Sequence, residues 1–246
     1  MTVQVWLYDG SIAGFLSALV RTYRERQVPQ TLVKQLGEHD LFASVQTVLT
    51  NLDEAQKMAR HLREQLESVH YERVLHAFLC DDSAFELNLM RYARMGLHQP
   101  KSLFDLSEPV VYAVEGYQKR VLSTVHRMTG FTRFEELNDG TLYARVAPPR
   151  NVLTLLGKHF KKRFAQERFI IHDIQRELIL THAGGTMNLH VVSDVQIPER
   201  SENEQQYQML WRSFFDSVTI EERLNPKLQR QHVPLLYREW MSEFTR

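Results

Sequence analysis

Between Thr132 and Val192 the chain is punctuated so closely that few architectures remain open to it. Asn138-Asp139-Gly140 separates two β-rich stretches, Thr132–Leu137 and Thr141–Val146. An Asp-Gly pair supplies the positive-φ positions that a tight hairpin needs. Pro148-Pro149 ends the second stretch. Asn151 then opens a helical pattern to about Phe164, with Val152, Leu156 and Phe160 recurring a turn apart. Three more β stretches follow, Arg168–Ile174, Glu177–Thr181 and Met187–Val192, and Gly184-Gly185 turns between the last two. A hairpin, a helix and returning strands in this order predict an α+β fold: a β-hairpin–helix–antiparallel strands core, with additional helices on both sides.

The flanking segments read less sharply. Val3–Tyr8 is rich in β-formers and predicts a strand, broken by Asp9-Gly10. Ser11 caps a helix to about Arg26. Phe42–Leu49 predicts a second strand, and Asn51 or Asp53 caps a helix through Leu66. Val69–Leu97 reads as helix in two pieces. The polar, proline-bounded run from Gln99 to Pro109 suggests a division into a 1–105 N-terminal α/β region and a 106–246 basic α+β domain. Pro109 then starts a helix that Gly130 is expected to stop. Ser201–Gln206 reads as loop and Tyr207–Val218 as an aromatic-rich helix. Asn225-Pro226 opens a tail whose rings, with Trp211 and Phe214, are expected to fold back on the core.

Composition excludes several classes. The 246 residues carry no formal net charge, so any polyanion footprint must be local. The lone Cys80, in an apolar run, excludes an intrachain disulfide framework and cysteine-based metal sites. The eleven histidines are scattered without metal-ligand spacing, and no glycine-rich phosphate loop appears, so neither metal nor cofactor is expected. The start of the chain lacks a signal-peptide pattern, and no apolar run reaches the ~18 residues of a membrane span. A cytoplasmic protein with no membrane association is the expectation.

Charge is nonetheless uneven. Tyr117 to Asp173 holds eleven Lys and Arg against five Asp and Glu, interleaved with Phe131, Phe134, Tyr143, Phe160 and Phe164. Cations mixed with stackable rings suit nucleic acid, single-stranded DNA at least as well as duplex. The candidate contacts are Lys119, Arg120, His126, Arg127, Arg133, Lys158, Lys161, Lys162, Lys227 and Arg230. Arg163 falls on the apolar stripe of its helix and is expected to be buried and paired. For an enzymatic alternative, a hydrolase or lyase, the candidates are His159 as base, with His172 and Asp173. Neighbouring strand residues face opposite ways, so His172 and Asp173 are a poor dyad by themselves. A protein-interaction scaffold is the remaining alternative.

Four runs, EGYQKRVLSTVHRMTGFTRFEEL, GKHFKKRF, ERFIIHD and NPKLQRQHVPLLYREWMSEF, resemble a bacterial family known as domain of unknown function 4130. Its members are described as DNA metabolism or DNA repair proteins. The resemblance implies a DNA-binding accessory protein in repair or modification, working with a radical-SAM partner encoded nearby. The chain has no C-x-x-x-C-x-x-C motif, so it would be the partner of such an enzyme.

Overall fold

β1, Gln4–Leu7, forms from the β-rich start of the chain and buries Val5 and Trp6 completely. The structure is a computed structural model and describes residues 4–37, 43–80, 82, 84–220 and 223–244. Ser11 caps α1, Ile12–Arg24, its hydroxyl accepting from the Gly14 amide at 2.9 Å. β2 (Thr31–Val33) and β3 (Ser44–Thr47) flank β1, both parallel to it. Parallel neighbours require a crossover, and α1 provides the one from β1 to β2. The sequence pattern does not predict β2, because Thr-Leu-Val is too short to show an alternation. β3 lies inside the expected 42–49 strand, of which Phe42 falls outside the described residues.

α2 (Leu52–Gln65) starts at Asn51, whose side chain accepts from the Glu54 amide. α3 (Ser68–Phe78) and α4 (Phe85–His98) are the two expected pieces, followed by a 3-10 turn at Pro100–Phe104. α5, Pro109–Phe131, runs through Gly130 instead of stopping there. A glycine in a last turn costs only about 1 kcal/mol of propensity, too little to end a helix whose Met128 is buried. The chain divides into two compact units, Met1–Leu122 and Ser123–Arg246, with the division inside α5.

The second unit is built on a five-stranded sheet in the order β4-β5-β6-β7-β8. These are β4 (Glu135–Glu136), β5 (Leu142–Val146), β6 (Phe169–Asp173), β7 (Leu178–Ala183) and β8 (Thr186–Val191). The hairpin and the antiparallel β6-β7-β8 run are as predicted. β5 and β6 pair in parallel, because α6 (Leu153–Arg163) crosses between them. Strand alternation and register place Ala144, Ile171 and Leu180 on one face of the sheet and Tyr143 and His172 on the other. α6 lies against the first face so closely that a Cβ on Gly157 would sit 2.5 Å from Leu180 Cδ1.

α7 spans Glu202–Ser217, so the expected loop at 201–206 is its first turn. Ser201 caps it, accepting from the Glu204 amide at 3.1 Å, and Glu202 and Glu204 suit the positive end of the helix dipole. α8 (Pro226–His232) and α9 (Leu235–Arg238) follow. The expected burial of the aromatic tail holds only in part. Tyr237 is buried, but Trp211 is 42% and Phe214 56% exposed. Glu204 is the one buried residue of α7. Further along, Trp211 and Arg212 bond to Glu243 and Ser242 of the tail and the half-buried Phe215 packs on Phe244, while Tyr207, Trp211 and Phe214 stay exposed. Among the described residues, no helix is long and apolar enough to cross a membrane.

Candidate functional site

Folding sorts the basic residues into two classes. Lys119 pairs with Glu115 one turn earlier on α5 at 2.8 Å, and Arg120 pairs with Asp82 at 2.7 Å. Arg133 is bound to Glu243 at 2.7 Å, where the carboxylate side chain is 3% exposed. Arg145 leans on Glu135 and lies over the Trp240 ring. These cations are already neutralised. Lys161 is half-buried and donates to the Gly185 carbonyl in the β7–β8 turn. By contrast Arg127, Lys158, Lys162, Arg163, Lys227 and Arg230 are exposed and make no ion pair among the described residues, and His126 is exposed on α5.

The expectation that Arg163 is buried is overturned. It is the last residue of α6, and Phe164 leaves helical geometry directly after it. Its side chain is exposed, and the guanidinium lies over the Phe164 ring at 5.6 Å.

Arg163 lines a cavity of about 520 Å³ within the second unit. Its walls come from the end of α5, the 132–135 segment, the end of α6, α7 and the tail near Trp240. Phe134, Phe160, Phe164, Tyr207, Trp211 and Trp240 contribute rings. Phe134 sits edge-on to both Phe160 and Phe164, with centroids 4.9 and 5.2 Å apart, which fixes the aromatic wall. Glu243 holds two other parts together, accepting from Arg133 and, at 3.2 Å, from the Trp211 indole. Burial pushes the Glu243 carboxyl up, but the bonds from Arg133 and Trp211 outweigh it and hold it below its ordinary value. Glu204 accepts from the Glu136 amide and from Gln208, and Glu135 is held by both arms of Arg200 at 2.9 Å. Glu243 and Glu135 are thus paired with arginines, Glu204 accepts only from neutral N–H groups, and Arg163 is the cation of the cavity wall without an ion pair among the described residues.

The three candidate catalytic residues are not brought together. His159 is exposed on α6, its ring edge-on to Phe160. His172 points to the far face of the sheet and is hydrogen bonded through Nδ1 to the Tyr143 hydroxyl at 2.8 Å. Burial pushes the Tyr143 phenol up to about 12 and lowers His172, so both are neutral near pH 7. Asp173 is fully buried on the opposite face, where it accepts from Arg176 at 3.1 Å and from the Gln175 and Arg176 amides. Burial raises its carboxyl against the pull of Arg176. Arg176 also donates to the Pro148 carbonyl, so Asp173 braces the β6–β7 turn.

The His172 shift has a measurable consequence. A histidine lowered in the folded state stays neutral where the unfolded chain takes a proton. Stability should therefore fall as pH drops below the ordinary histidine value near 6.5. Melting temperatures between pH 8 and pH 5 should decline less steeply in His172→Gln than in the wild type.

Asp9 fills the start of α1, accepting from the Ser11 amide and hydroxyl and from Thr50 at 2.6 Å, so that helix end already holds its anion. His182 pairs in register with Met187 and His190 with Ile179, which puts the two histidines on opposite faces. Among the described residues, no cluster of His, Cys, Asp or Glu is placed to hold a metal.

The family model described as domain of unknown function DUF4130 matches residues 83–243, more than half of the chain. No curated protein matches it.

Proposed function

We propose that this chain, which belongs to the DUF4130 family, binds single-stranded DNA through its second unit, as an accessory protein in DNA repair or modification beside a radical-SAM enzyme. One observation carries the binding part of this reading. Exposed, unpaired Lys158, Lys162 and Arg163 lie on the helix whose end opens into a cavity walled by six aromatic rings. Phosphates need uncompensated cations, and unstacked bases need ring faces. The repair context and the radical-SAM partner rest on the sequence resemblance.

A labelled oligonucleotide titration by fluorescence anisotropy tests the binding. Single strands should bind at least as tightly as duplex of the same length, and log affinity should fall linearly with log salt. Absence of binding at low salt would remove the proposal.

One observation favours a second reading, a protein-interaction scaffold. Tyr207, Leu210, Trp211 and Phe214 recur at helical spacing on α7 and are all exposed. Contacts with a protein through this stripe would be apolar and would strengthen with salt, the opposite of the trend expected for DNA. The enzymatic alternative gains nothing from the geometry, since His159, His172 and Asp173 face three different surroundings.

A further inference from the structure

We infer that the cavity at the end of α6 receives one unstacked nucleobase, held against the rings of α6 and α7, with Arg163 positioned for the adjoining phosphate. This rests on the nucleic-acid reading and specifies what its central cavity takes.

Size is the first argument. About 520 Å³ falls within the range of pockets that enclose a small organic ligand, and suits a nucleoside rather than a stretch of duplex. Chemistry is the second. Tyr207 is 63% exposed and Trp211 42% exposed, although both line the cavity. Large rings left open to water beside a fixed aromatic wall are poised to stack on a flat ligand. The Trp211 indole N–H is bound to Glu243, which fixes the ring's edge and leaves stacking as its means of contact. Placement of charge is the third. Arg163 rests over Phe164 at the cavity, where a guanidinium meets the phosphate of a base inserted among the rings. The polar wall supplies hydrogen-bonding groups for the base edge. Gln208 donates its amide N–H to Glu204, which leaves its carbonyl oxygen as an acceptor, and Thr129 and Ser242 also line the cavity.

The experiment compares an intact single strand with one of equal length whose residues are abasic, so that charge is unchanged and stacking is lost. The intact strand should bind about tenfold more tightly or better, with a similar salt slope for both. Tyr207→Ala should weaken the intact strand severalfold and leave the abasic strand unchanged. Its ring is exposed, so folding should survive, as the melting temperature will report. Equal affinity for the two strands would overturn the base pocket while leaving phosphate binding in place. Loss of affinity for both strands alike in Tyr207→Ala would also overturn it. Failure of the wild type to bind either strand would instead bring down the nucleic-acid reading itself.

Discussion

Arg133→Met is expected to lower stability by about 2–4 kcal/mol, because it strands the Glu243 carboxylate in a buried position. Breaking a buried pair from one side costs about 3–5 kcal/mol, and the 29% exposure of the Arg133 side chain reduces that figure. Two further bonds are lost, from the guanidinium to the Gly130 and Thr132 carbonyls. Thermal unfolding followed by circular dichroism measures the effect. Removing both charges in Arg133→Met/Glu243→Leu should recover much of the loss, since an apolar pair leaves no buried charge behind. Arg163→Met should change stability by no more than about 0.5 kcal/mol, as expected for an exposed side chain without a partner. A loss at Arg163 equal to that at Arg133 would contradict the assignment.

The second large effect concerns binding. Lys158→Ala/Lys162→Ala/Arg163→Ala should fold normally and lose most of its affinity for single-stranded DNA. Each cation removed from a single-strand phosphate lowers the salt slope by about 0.7, so the triple variant should lose roughly 2 from the slope. Lys119→Ala/Arg120→Ala should leave the slope unchanged. Glu115 and Asp82 already neutralise those two side chains, and few counterions are there to be released. Anisotropy titrations at several salt concentrations compare the three proteins directly.

The contrast between these two sets of cations shows what is legible in the sequence. The hairpin is readable because Asn138-Asp139-Gly140 is local chemistry, and so are the caps at Ser11 and Asn51. The Lys119–Glu115 pair is readable too, as carboxylate and amine four residues apart on a helix, although the basic run after Tyr117 masks it. Arg133 and Glu243 lie 110 residues apart, and no periodicity connects them. Arg163 misleads for a different reason. Helical spacing places it on the apolar stripe, but the helix ends at that residue and the buried stripe stops at Phe160, one turn earlier. The cavity draws on residues near 130, 160, 207 and 240, so it exists only after the second unit has folded. Its rings are nonetheless visible as types, since Phe134, Phe160 and Phe164 stand among the basic residues of the sequence.

Photo-crosslinking tests the central claim most directly, that single-stranded DNA lies at the cavity of the second unit. An oligonucleotide carrying one iodinated uracil would be bound, irradiated and digested, and the adducted residue identified by mass spectrometry. The adduct is expected on Phe164, Tyr207 or Trp211, and it should disappear when unlabelled single strand competes. Adducts confined to the first unit, or none from an oligonucleotide that demonstrably binds, would contradict it.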